Sequence, residues 1–135
     1  MKNIIILIPV LCLTSCHIND ARPENHRADV RVIGEEVCIT LPDTKKENLS
    51  LISINEINNA HTVFEKKFTT ENSPNIYPNQ CLSNYGFRFQ PGKKYTYSVD
   101  ATQVTEGGAI KNGNSYSVTF SVLVDKGKLM VKDLN

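Results

Sequence analysis

The sequence predicts an all-β domain, an antiparallel sandwich of seven or eight short strands closed by one disulfide. Three observations predict it. Tyr116, Val118, Phe120, Val122 and Val124 alternate with Ser115, Ser117, Thr119, Ser121 and Leu123, the two-residue period of a strand with one buried and one solvated face. Turn-forming residues, among them Gly34, Asn58-Asn59, Pro91-Gly92 and Gly107-Gly108, recur between short apolar runs. No stretch carries a helical period.

In chain order, Val30 and Val32 alternate with Asp29 and Arg31, Gly34 turns the chain, and Val37, Ile39 and Leu41 alternate with Cys38 and Thr40 until Pro42. Leu49 to Ile57 and Thr62 to Thr69 read as a second pair of strands joined across Asn58-Asn59. Glu71 to Asn79 holds Asn72, Ser73, Pro74, Asn75 and Pro78 and reads as a loop leading to Cys81. Tyr85, Phe87 and Phe89 would share one face of a short strand, and Tyr95, Tyr97 and Val99 one face of the next. After the strand through Tyr116, Asp125 to Lys128 turns and Leu129 to Val131 pairs back or extends the edge. The stretch from Phe89 through Pro91-Gly92 to Tyr95 and Ala101 resembles the sheet-to-sheet corner of immunoglobulin and fibronectin type III sandwiches. That resemblance implies that the Tyr95 hydroxyl bonds to upstream backbone. A plain hairpin with an inward Tyr95 is the alternative. The corner reading makes Cys38 and Cys81 neighbours in one sheet.

The chain opens with Lys2, an apolar run from Ile4 to Leu13, and Leu13-Thr14-Ser15-Cys16. About ten apolar residues after a basic start suit an export signal and fall short of the ~20 of a spanning helix. The end of the run resembles the bacterial lipobox, so Cys16 is expected to be the lipidated first residue of the mature chain. An ordinary cleaved signal with a coincidental cysteine is the alternative. His17 stands where Asp retains enterobacterial lipoproteins at the inner membrane, which points to the inner leaflet of the outer membrane, facing the periplasm. The expected organisation is a signal peptide over 1–15, a lipidated tether over 16–27 and one β-sandwich domain over 28–135.

Fifteen basic residues against 14 acidic ones, scattered along the chain, ask for no nucleic acid. Cys12 leaves with the signal and Cys16 takes lipid, so Cys38 and Cys81 remain and are expected to pair in the oxidising periplasm. A metal site or reactive thiol is the rival reading, but His17, His26 and His61 stand at no ligand-like spacing from them. There is no Gly-x-Ser-x-Gly, no His-Glu-x-x-His and no phosphate-cradling glycine loop. Gly107-Gly108 reads as a turn, Glu35-Glu36 as solvated, and Asn48-Leu49-Ser50 as a glycosylation signal without weight in a bacterial lipoprotein. Catalysis, a cofactor, a metal and a small-molecule substrate are therefore not expected. Recognition would fall to the polar loops after Asp43, around Asn58 to His61, from Glu71 to Tyr85 and from Glu106 to Asn114, with Tyr77 and Tyr85 as contact anchors. No partner-binding residue is assigned.

Leu13-Thr14-Ser15-Cys16-His17, the strand pair from Val30 to Pro42, Cys81 and the closing Gly127-Lys128-Leu129 together resemble a family of small enterobacterial lipoproteins assigned to type VI secretion immunity. The resemblance spans nearly the whole mature chain. It implies a protein partner, a secreted toxin, whose active site is blocked by occlusion. A structural or assembly lipoprotein of the envelope is the alternative, and an inhibitor of a host lysozyme or protease a third.

Overall fold

The computed structural model describes residues 25–42, 46–59 and 61–135. The expected signal peptide, Cys16 and the first part of the expected tether lie outside the described residues. Eight strands and no helix are found among those described. They are β1 (Asn25–Arg27), β2 (Asp29–Ile33), β3 (Glu36–Thr40), β4 (Glu47–Glu56), β5 (Thr62–Lys67), β6 (Lys94–Val104), β7 (Ile110–Asp125) and β8 (Lys128–Asp133).

The larger sheet runs β1-β7-β6-β4-β5, and β8 pairs β7 on the edge that β1 also uses. β1 lies parallel to β7 beside Ser115 to Ser117, and β8 lies antiparallel beside Phe120 to Asp125. The two meet at an ion pair between Arg27 and Asp133. The Asp133 carboxyl is held below the usual carboxylate range by the Asn135 N–H and then by Arg27. The smaller sheet is the antiparallel β2–β3 hairpin. Both sheets feed one core: Val37, Ile39 and Leu41 pack with Leu49, Ile52 and Ile54 of β4 and with the inward residues of β6 and β7. The result is a sandwich-like all-β fold.

The alternation in β6 and β7 is as expected, with Tyr95, Tyr97, Val99 and Ala101 facing Tyr116, Val118, Phe120 and Val122 in the interior. In β4 the inward set is Glu47 and Leu49, then Ile52 and Ile54. The three-residue step coincides with a register shift between Leu49 and Leu51, a bulge that returns the later apolar residues to the core.

Four expectations are corrected. Asn25–Arg27, assigned to the tether, is strand β1, so the folded domain begins before residue 28. Its parallel pairing makes the large sheet mixed rather than purely antiparallel. Tyr85, Phe87 and Phe89 form no strand: Tyr85 and Gly86 both have positive φ, and the Phe87 N–H closes a turn on the Asn84 carbonyl. The rings nonetheless point inward as the alternation implies, with Phe89 edge-to-face against Tyr95 and tilted against Phe120. Val124 is half-exposed because it lies at the end of β7, on the wall of an open cleft rather than beneath the smaller sheet.

The Tyr95 hydroxyl accepts a hydrogen bond from the Gln90 N–H at 3.0 Å, the upstream backbone contact that the corner reading implies. Replacing Tyr95 by Phe removes that acceptor and keeps the buried ring. It is expected to cost about 1 kcal/mol in urea unfolding, with the loss of amide protection concentrated at Gln90.

Candidate functional site

The β2–β3 hairpin turns at Gly34-Glu35 and the β7–β8 hairpin at Lys126-Gly127, where glycines and Lys126 take positive φ. Between these two turns lies residues 81–89, a segment without ladder bonds. Three bonds tie it to β3: the Leu82 N–H donates to the Ile39 carbonyl at 2.8 Å, the Asn84 Nδ2 donates to the Val37 carbonyl at 3.1 Å, and Cys81 is bonded to Cys38 with 5.1 Å between the Cα atoms. The expected disulfide is therefore present, bridging a buried strand to an exposed segment.

The three elements enclose an open cleft of about 1070 Å³. Its walls mix Ile33, Val124, Leu129 and Phe87 with Glu35, Glu36 and Arg88. Ile33 is 51% and Val124 52% exposed, large apolar side chains left to solvent inside a concavity. Apolar ground with a few charges suits a protein contact. Among the described residues no group of His, Cys, Asp and Glu could hold a metal ion.

The expected contact loops are divided between the two ends of the domain. Tyr85 is half-buried at the cleft, stacked on Phe68 with Lys66 Nζ 5.3 Å from its ring. Tyr77 is exposed at the far end. Residues 43–45 and 60 lie outside the described residues. The turns at Gly34 and Lys126 were readable as turns, but nothing in the order of residues signalled that they close on one cleft. Glu35-Glu36, read as merely solvated, lines it.

The Tyr97 hydroxyl and Asn84 Oδ1 are buried without a hydrogen-bond partner among the described residues. Burial pushes the Tyr97 hydroxyl well above the usual tyrosine range, and the neighbouring Tyr85 adds to the effect. The folded state thus holds this proton more tightly than the unfolded chain. Its contribution is full below the unfolded value near 10 and is lost as pH rises above it. Urea midpoints are expected to fall above about pH 10 and to fall less steeply for Tyr97→Phe. At neutral pH that variant is expected to match or exceed the native stability by up to about 1 kcal/mol, since the hydroxyl makes no bond to lose.

A family described as Domain of unknown function (DUF7480) matches residues 25–125. The chain belongs to that family. The match begins with β1 and ends with β7, so the DUF7480 region includes the β2–β3 hairpin and the disulfide, while β8, with Leu129 on the cleft wall, follows it. No curated protein and no solved structure matches the chain.

Proposed function

We propose that this chain is a lipid-anchored periplasmic protein of the outer membrane that neutralises a toxin delivered by type VI secretion. The cleft would cover the toxin's active site. The observation that carries the proposal is the polarity of the domain. β1 runs parallel to β7 with Asn25 beside Ser115, so the strand points toward the cleft end and its first residue is the one farther from the cleft. A tethered inhibitor needs its binding surface turned away from its anchor. The half-exposed Ile33 and Val124 inside a concave wall supply the apolar contact that tight binding requires.

The framework proposed is a fibronectin-III-like sandwich. Residues 79–82 run beside β3, where the Asn79 and Leu82 N–H groups donate to the Leu41 and Ile39 carbonyls. That sets a third, unladdered segment beside the two-stranded sheet, against the β7-β6-β4-β5 order of the larger one. The Tyr95 bond at the start of β6 supports the same reading.

The test is capture of the oxidised full chain with the product of each neighbouring gene, followed by intoxication of cells with and without this protein. A one-to-one partner whose toxicity falls on binding is the expected result. Cells that lack the protein yet resist as well as wild type would sink the proposal, and recovery of resident envelope components alone would favour an assembly role. Ile33→Asp combined with Val124→Asp is expected to weaken the complex at least ~30-fold, about 2 kcal/mol, with folding unchanged because both side chains are half-exposed.

A further inference from the structure

We infer that the end of the domain opposite the cleft is a lipid-contacting surface, entered by Tyr77, Val104 and Ile110. The inference rests on the membrane attachment proposed above and adds a second, direct contact to it.

Three of the most exposed large apolar side chains gather at this end. Tyr77 is 56%, Val104 53% and Ile110 54% exposed. Val104 and Ile110 are cross-strand partners at the tip of the β6–β7 hairpin, beyond Gln103, the last β6 residue paired with β4. Tyr77 is brought to the same end by its neighbours. The Ile76 N–H donates to the Glu47 carbonyl, and Glu47 pairs with Gln103, while the Asn79 N–H donates to the Leu41 carbonyl just past β3. An aromatic ring with a polar tip and two aliphatic side chains on a turn is the composition that settles at a membrane interface.

The tip is suited to entry because three hydrogen bonds close it on itself. The Thr105 N–H and hydroxyl both donate to the Ala109 carbonyl, at 2.8 and 3.1 Å, and the Gly108 N–H donates to the Thr105 carbonyl at 2.8 Å. A hairpin so closed exposes fewer unpaired groups to a less aqueous medium. Lys46 and Lys111 are exposed nearby and Glu106 sits in the turn, so charge is mixed and the contact is apolar in origin. Insertion is therefore expected into zwitterionic lipid and to resist salt, with Glu106 limiting its depth to the headgroup region.

Chain length supplies the independent argument. With Asn25 already in β1, only residues 17–24 separate the folded domain from Cys16. However they are arranged, the nine Cα-to-Cα steps from Cys16 to Asn25 reach no farther than about 32 Å. Asn25 lies beside Ser115, roughly 17 Å along β7 from Ile110 and roughly 33 Å from Asp125 at ~3.3 Å per residue. The end bearing Tyr77, Val104 and Ile110 is thus the nearer of the two ends to Asn25, and so to the anchor proposed at Cys16. Its contact with lipid would stand the domain upright with the cleft outermost.

The test uses the full chain, expressed through its own signal and reconstituted in phosphatidylcholine vesicles. An environment-sensitive fluorophore is attached at Ala109→Cys or, as the distal control, at Glu35→Cys. Flotation with the vesicles, a blue-shifted Ala109 label quenched by lipid-borne spin labels, and an unquenched Glu35 label are expected. Adding Val104→Asp and Ile110→Asp is expected to abolish quenching at Ala109 while flotation persists. Flotation with an unquenched Ala109 label would overturn the inference and leave the anchor standing. Failure to float would overturn the anchor and the inference together.

Discussion

Replacing both Cys38 and Cys81 by Ala, or reducing their disulfide, is expected to lower the unfolding free energy by about 4 kcal/mol. The bridge closes a loop with a sequence separation of 43 residues, and the chain-entropy relation gives about that value for a loop of this length. Against a typical domain stability of 5–15 kcal/mol this is a large share. The effect should also be local. Cys81 belongs to the segment 81–89, which no β-ladder holds, so without the bridge the Leu82 to Ile39 and Asn84 to Val37 hydrogen bonds and the packing of Phe87 and Phe89 must retain it. Urea titration with and without reductant measures the global term. Hydrogen exchange at Leu82 and Phe87 measures the local one. An unchanged midpoint would mean that the unfolded chain is already compact around this loop. Because the segment forms one wall of the cleft, partner binding is expected to weaken on reduction under conditions where the domain stays folded.

The second large effect is expected at Glu47, where Glu47→Ala should cost on the order of 4 kcal/mol and lower the melting temperature by roughly 15–25 °C. This carboxylate is 1% exposed, yet it lies on the core face of β4. Its Oε1 accepts from the Tyr116 hydroxyl and the Asn114 amide, both at 3.0 Å, and its Oε2 from the Asn114 N–H at 3.1 Å. Truncation strands the buried Tyr116 hydroxyl and the part-buried Asn114 donors and opens a void among them. Gly113 keeps the site closed, since a Cβ there would lie 2.8 Å from the Ala101 carbonyl oxygen and 2.9 Å from Glu47 Oε2. Thermal unfolding of Glu47→Ala beside Glu47→Gln separates the two contributions. The amide keeps the volume and one acceptor, so it is expected to lose only about 1–2 kcal/mol. Equal losses would show that charge rather than packing dominates.

Neither Glu47 nor the cleft was visible as a site in the order of residues. Glu47 stands two positions before Leu49, in strand register with it, and that spacing was the one available signal that a carboxylate would turn inward. The bulge after Leu49 hid it by breaking the period between the first and second halves of β4. The cleft drew its residues from three stretches far apart in sequence, each of which read as an ordinary turn or loop. Tyr85 and Phe87 misled for a different reason. Their alternation correctly reported which way the rings face, but a ladder needs a partner strand and permissive φ, and Tyr85-Gly86 supplies neither.

What the sequence by itself determined was the all-β class, the β2–β3 and β4–β5 hairpins, the turn after β7, the buried face of β6 and β7, and the Cys38–Cys81 pairing. Each rests on local periodicity, on turn residues or on the small number of cysteines, and none needs knowledge of distant neighbours. Only the tertiary structure decided that Asn25–Arg27 would join the sheet, because its three exposed residues carry no apolar pattern and are held by the open edge of β7 and by Arg27 against Asp133. It alone decided that Ile33 at the end of β2 and Val124 near the end of β7 would face one open cleft, with β1 running toward that end from Asn25 beside Ser115. Strand pairing across long separations selects partners by the edges left free once the hairpins have formed, and that choice is a property of the assembled sheets rather than of any segment.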